Sequence, residues 1–258
     1  AVGVLKVDVH GQATRLSTEM AFARVRPDAT QDRLLVSQSD GRRAVHLRGD
    51  QLVPQGSVGG VVAESHALSM DSSRRLWVGL VDDGVALINL PGADQPLDKV
   101  PVRRLVSPVA DSGVSKALTL GTIDGAVRLS GASGMQQFDE RSGKLVPDER
   151  FAGLFGTPSR QIWTFEQDAS GKVWMYTIYA AHHSKSVGVA TPDAQGRYHW
   201  DGGVLPALSG KTVFDIHADP DGVIWLAADD GLYRYDARSV REPTSPSRAL
   251  VRKVTTHG

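Results

Sequence analysis

Residues 219–236 read Asp219-Pro-Asp-Gly222-Val-Ile-Trp225-Leu-Ala-Ala-Asp-Asp-Gly231-Leu-Tyr-Arg-Tyr-Asp236, and this stretch decides the fold. Short runs of branched and aromatic residues, Ile224-Trp-Leu-Ala and Gly231-Leu-Tyr-Arg-Tyr, are separated by Asp/Gly punctuation, the pattern of strands joined by tight turns. Asp bonds its own backbone in such a turn, and Gly takes a positive φ that other residues resist. Just upstream, Val213-Phe-Asp-Ile-His-Ala supplies another strand of the same kind.

The stretch recurs along the chain. Residues 124–139, from Asp124-Gly-Ala-Val-Arg128 to Gly134-Met-Gln-Gln-Phe-Asp139, lie over residues 221–236 without a gap. A third copy is Asp71-Ser-Ser-Arg-Arg-Leu-Trp77-Val-Gly-Leu-Val-Asp-Asp-Gly84, and a fourth, Asp168-Ala-Ser-Gly171-Lys-Val-Trp174, carries an insertion before Gly188-Val-Ala. The weakest runs from Arg33-Leu-Leu35 to Gly41. Leu35, Trp77, Arg128, Trp174 and Trp225 are equivalent, with spacings of 42, 51, 46 and 51 residues. Four antiparallel strands repeated every 40 to 50 residues predict an all-β fold, a β-propeller built from four-stranded antiparallel blades.

Five full units are expected near 18–59, 60–105, 106–150, 151–207 and 208–248, with partial blades at 1–17 and 249–258. Gly3-Val-Leu-Lys-Val-Asp8 matches Gly231–Asp236, so the chain enters in the third strand of a blade. Ala249–Thr256 reads as a lone first strand after the linker Ala237–Arg248. Pairing between the ends would close a six-bladed ring and remove the exposed edges; the alternative is a slice of a longer propeller array.

Composition agrees with a turn-rich globular chain. Gly and Pro make up 40 of 258 residues, which argues against a helix bundle. The charges balance at 29 basic and 29 acidic, against a surface for nucleic acid, and the Arg pairs at 42–43, 74–75 and 103–104 read as solvated turns. No Cys is present, which removes disulfides, thiolate metal sites and Cys nucleophiles. No apolar run approaches the roughly 18 residues of a membrane span. The chain does not begin with Met, so processing or trimming is expected.

The pattern Asp-x-x-Gly-x-aliphatic-Trp followed by Asp-Gly-Leu-x-x-Tyr-Asp resembles the two-component regulator propeller repeat. Residues 219–236 match nearly throughout, 71–84 match well, 168–174 match the first half, and Arg128 and Leu35 depart from the expected Trp. The resemblance implies a periplasmic sensor domain of an inner-membrane receptor whose output is a histidine kinase, hybrid kinase or diguanylate cyclase. Family members carry two seven-bladed propellers, a small β-sandwich with three tyrosines, a membrane helix and a catalytic part, so the ends of this chain are expected to be cut ends of a larger receptor. It further implies an unidentified small-molecule or glycan ligand, self-association through the larger receptor, membrane attachment only through segments outside this sequence, and no catalysis or cofactor in the propeller itself.

The insertion after Trp174-Met-Tyr176-Thr-Ile-Tyr179, Ala-Ala-His182-His183-Ser-Lys185-Ser, is the candidate ligand site. Joining the second and third strands of its unit, it would stand where Tyr176, Tyr179, His182, His183 and Lys185 supply stacking surfaces, hydrogen-bond donors and a cation. A metal site from His182 and His183 is disfavoured, since adjacent residues of an extended chain point apart. The repeated Trp residues are expected to pack between blades, and the Asp-x-x-Gly segments to be turns, because Ca²⁺ loops need further oxygens that are missing. Two alternatives remain. One is a metal-dependent propeller lyase or hydrolase using His66 and His217, near the ends of inner strands just ahead of the Asp-x-x-Gly turns, with Glu64, Glu166 or Asp215; the other is a protein-interaction platform.

Overall fold

The computed structural model describes residues 5–7, 12–15, 26–28, 33–38, 41–48, 51–57, 65–80, 84–92, 95, 97–105, 119–131, 134–154, 160–179 and 184–236. They form a β-propeller fold of antiparallel sheets in which consecutive strands pair. Four sheets are four-stranded. They are β3–β6 (Arg26–Asp28, Arg33–Gln38, Gly41–Arg48, Gln51–Ser57), β7–β10 (Ser65–Met70, Arg75–Leu80, Gly84–Asn89, Val102–Leu105), β11–β14 (Thr119–Ile123, Ala126–Gly131, Gly134–Asp139, Lys144–Pro147) and β15–β18 (Arg160–Gln167, Val173–Tyr179, Ser184–Pro192, Tyr198–Asp201). A further sheet has three strands, β19–β21 (Val213–Ala218, Val223–Ala228, Gly231–Asp236), and Leu5–Val7 (β1) pairs with Ala13–Arg15 (β2). The expected strand at Ala249–Thr256, and with it any pairing between the chain ends, lies outside the described residues.

The chain divides into two compact units, whose described residues run up to Leu120 and from Gly121 onward. In each, the core lies between neighbouring sheets. In the first unit Leu35 of β4 packs with Leu68, Leu76, Val78, Leu80, Ala86 and Ile88 of the following sheet. In the second, β16 serves two cores by simple alternation. Val173 and Met175 join Ile123, Met135 and Phe151 on one side, while Trp174 and Tyr176 join Leu208, Val213, Ile216 and Ile224 on the other. Covering both faces explains why Val173–Thr177 is buried without interruption.

The turn that opens each second strand holds the repeat together. Asp168 Oδ1 accepts the backbone N–H groups of Ser170 and Lys172 at 2.8 and 3.1 Å, and its Oδ2 accepts the Trp174 indole N–H at 2.9 Å. Asp71 does the same with Ser73, Arg75 and Trp77, and Asp219 Oδ2 accepts from Trp225 at 2.8 Å. One carboxylate thus closes the turn and anchors the indole six residues on. Asp193 repeats the device between β17 and β18, with Gln195 and Arg197 on Oδ1 and His199 Nε2 at 2.8 Å from Oδ2 where the other turns have Trp.

The third unit, with Arg128 in place of Trp, is built differently. Its β11–β12 turn is the two-residue Asp124-Gly125 with positive φ at both positions. Arg128 is buried and its Nε donates to Asp148 Oδ2 at 2.7 Å, so an ion pair to a residue beyond β14 replaces the carboxylate–indole bond. Arg150 joins in, donating to Asp148 Oδ2 at 2.8 Å and to Asp124 Oδ2 at 2.6 Å. Gln167 of the next sheet donates to Asp124 Oδ1 at 2.9 Å and accepts the Asp124 N–H at 2.7 Å.

Two glycines are required for different reasons. Gly171 closes its turn at φ +85°, and a Cβ at Gly121 would stand 2.5 Å from the Phe165 ring that packs over β11. Replacing Gly171 by Ala should cost about 1–2 kcal/mol, the left-handed penalty. Gly121→Ala should cost more, because a buried aromatic ring must move. Urea unfolding of both variants measures the order, and equal losses would contradict the packing argument.

Candidate functional site

The β16–β17 connection is, as its sequence suggests, the link between second and third strands. His182 and His183 lie outside the described residues. The other three candidates do not converge on one surface. Tyr176 is 1 % exposed, facing the same core as Trp174, so its ring is a packing element and not an open stacking surface. Burial pushes its phenol up, and the hydroxyl lies near Thr212 and the Val213 backbone without a well-aligned hydrogen bond. Tyr179 is half-buried, opposite Arg160 in the register, with the Arg160 guanidinium 6.0 Å from its ring centroid. Lys185 is half-buried and donates from Nζ to Thr212 Oγ1, which ties the third strand of this sheet to the segment leading into β19.

The first strands carry the polar groups. His217 of β19 is exposed, with Nδ1 3.1 Å from Glu166 Oε1 of β15 and Nε2 3.3 Å from Asp219 Oδ1. Glu166 Oε1 also accepts the Ala218 N–H at 3.2 Å, so neighbouring first strands are joined at their turn ends. The two carboxylates engage opposite nitrogens of the ring and do not face one point. Among the described residues no group of three or more His, Asp or Glu side chains is placed to hold a metal ion.

His66 and His217 are not equivalent. His66 is five residues before Asp71, at the start of β7, whereas His217 is two before Asp219, at the end of β19. The expectation that both sit just ahead of their turns therefore holds for His217 alone. Glu64 lies outside the described residues, and Asp215 accepts the Ile216 N–H at 2.9 Å.

The structure also shows residues that sequence reading missed. Each of β7, β15 and β19 contains a β-bulge against its second strand, and the extra residues are His66, Trp163 and Phe214. All three stand five residues before the turn Asp, a spacing visible in the repeat once it is aligned. Trp163 and Phe214 are 48 % and 68 % exposed, the exposed large hydrophobics among the described residues.

Comparison with known proteins defines the fold. No protein-family model matches the sequence, and no curated protein matches it. Solved structures do. The extracellular domain of a protein described as the hybrid two component system BT4673 from B. thetaiotaomicron aligns over 97 % of this chain and 31 % of its own, with a TM-score of 0.61 at 14 % identity. A second structure of the BT4673 extracellular domain, described as from a one component system, aligns over 92 % of this chain and 28 % of its own, with a TM-score of 0.58 at 14 % identity. The fold is that of a β-propeller. The Dos1 propeller also aligns, over 92 % of this chain and 59 % of its own, with a TM-score of 0.56 at 10 % identity. This chain spans less than a third of the BT4673 domains it matches. No helix among the described residues is long and apolar enough to cross a membrane.

The Asp148 network has a pH signature of its own. Burial raises the Asp148 carboxyl, but hydrogen bonds from Arg150 and Arg128 outweigh it and hold the group below its ordinary value of 3.8. Gln167 first and Arg150 second lower Asp124 from the same value. Depressed carboxylates contribute stability that is present above about pH 4 and lost as pH falls through their folded values. Asp148→Asn should lose about 3 kcal/mol at pH 7, because Arg128 is left buried without its counter-charge. It should also show a shallower loss of stability below pH 4 than the parent chain. Urea midpoints measured from pH 3 to 7 test both, and parallel pH profiles would contradict the assignment.

Proposed function

We propose that this chain is a ligand-sensing segment of a β-propeller in the extracytoplasmic, periplasmic part of a bacterial transmembrane signalling receptor, non-catalytic by itself. The observation that carries the reading is the alignment of 97 % of the chain with an extracellular domain described as belonging to a two component system. The Asp-x-x-Gly-x-x-Trp and Gly-Leu-x-x-Tyr-Asp repeat at residues 219–236 supports it independently.

The β16–β17 insertion is the proposed ligand site. Tyr179 ends the strand that leads into the insertion, Lys185 stands near the start of the strand that leaves it, and His182 and His183 lie between them in the sequence, so a ring, two imidazoles and an ammonium fall within seven residues. A small molecule or glycan fragment held there shifts receptor association only if it binds the two receptor arrangements with different affinity. Signal output, self-association and membrane attachment belong to the rest of the receptor.

A thermal-shift screen of the chain against saccharides and small metabolites should find a ligand that raises the melting temperature. Tyr179→Ala combined with His183→Ala should abolish that shift and leave the unliganded melting temperature within a few degrees of the parent. An unchanged shift would move the site away from the insertion. The gene should also encode a membrane helix and a kinase or cyclase in frame after Gly258; a gene ending there behind a cleavable leader would contradict the receptor reading.

A further inference from the structure

We infer that β15 and β19 together carry a binding site for a small organic ammonium ion, distinct from the β16–β17 insertion. The inference goes beyond the sensor reading and stands on the bulges.

In β15, Ile162 pairs with Thr177 and Thr164 with Tyr176, leaving Trp163 outside the ladder; in β19, Val213 pairs with Ala228 and Asp215 with Ala227, leaving Phe214 outside. Regular alternation sends each side chain of such a strand into one of the buried cores, as Ile162, Phe165, Val213 and Ile216 are. A bulge re-aims the extra residue, and here it turns an indole and a phenyl ring toward solvent at the same position of neighbouring strands. β15 and β19 are edge strands of their sheets and lie against each other. The Glu166 bonds to Ala218 N–H and His217 Nδ1 clamp them at the turn end. The spacing of the two strands that carry the rings is therefore set before any ligand arrives, which lowers the entropic cost of binding.

The surrounding charge selects the ligand. Asp215 directly follows Phe214, Glu166 lies three residues beyond Trp163, and Asp219 follows at the turn. Arg160, at the start of β15, lies over the Tyr179 ring, Lys211, two residues before β19, is on Asp230, and Glu166 and Asp219 both lie against His217, which leaves Asp215 as the carboxylate next to a ring. Aromatic faces attract a cation through the ring quadrupole, and carboxylates beside them reinforce that attraction. An anion meets the opposite field. A neutral apolar molecule gains only the ring contacts. An alkylated ammonium head matches both features, with its methyl groups on the rings and its charge toward Asp215.

Calorimetric titration of the 258-residue chain with choline, and with its uncharged carbon isostere 3,3-dimethylbutan-1-ol, tests the site. Choline should bind saturably with one site per chain, and the isostere at least about tenfold more weakly. Trp163→Ala, Phe214→Ala and Asp215→Asn should each weaken choline about threefold or more, the scale of an exposed cation–π contact. Trp163→Phe, which keeps a ring, should retain most of the affinity and serves if the alanine variant does not fold. Equal binding of the isostere, absence of choline binding, saturable binding of maltose without choline binding, or choline affinity unchanged in all the variants would each overturn the proposal. The titration reads binding alone and uses none of the insertion residues, so its failure leaves the sensor reading standing, and failure of the sensor reading leaves the titration interpretable.

Discussion

The bond from a turn carboxylate to a tryptophan indole, made by Asp71, Asp168 and Asp219 to the Trp six residues on, is the interaction on which the rest of this structure depends. Asp168 is 8 % exposed and Asp71 7 %, and a carboxylate removed from water is costly unless its oxygens are fully engaged. Two backbone N–H groups and one indole N–H engage them. The same contact fixes the direction of the second strand, because the indole enters the core as the turn closes. Packing follows from that. Trp174 anchored to Asp168 puts Tyr176 on the same side and Val173 and Met175 on the other, so both neighbouring sheets find a complementary face.

This constraint explains which parts of the fold were legible in the sequence. Asp, Gly and Trp at fixed spacing are local chemistry, so the turns, the strands beside them and the antiparallel blades could be read directly. The Arg128 unit could be aligned but not understood, since its carboxylate, Asp148, sits twenty residues downstream on no repeating spacing. Asp193-Ala-Gln-Gly196 went unread for the opposite reason: the turn signal is plain, but His199 stands where the pattern calls for Trp. In the copy at residues 71–84 Arg74 occupies the glycine position of the turn with φ +60°, which blurs the punctuation without changing the backbone.

The candidate site was less legible, because strand register decides which side chains are available. Tyr176 looks like a ligand group by composition, yet alternation from Trp174 sends it into the core. Trp163 and Phe214 look like core residues by composition, yet a one-residue bulge turns them outward. His66 and His217 look alike in the sequence but occupy different register positions. A bulge has no composition of its own, and only the equivalence of positions 66, 163 and 214 across repeats hints at it. Side chains at the turn and indole positions hold the sheets, and the proposed ligand contacts fall elsewhere, on the insertion and on the residues that the bulges turn outward.

The claim that a carboxylate–indole bond couples turn to core is tested most directly by a double-mutant cycle on Asp168→Ala and Trp174→Phe, read by urea unfolding of the two single variants, the double variant and the parent. Each single change leaves the other group buried without its partner, so the double variant should lose less stability than the sum of the two losses, with a coupling of about 1 kcal/mol or more. Additive losses would show that Asp168 closes its turn and Trp174 fills its core independently, and would contradict the account.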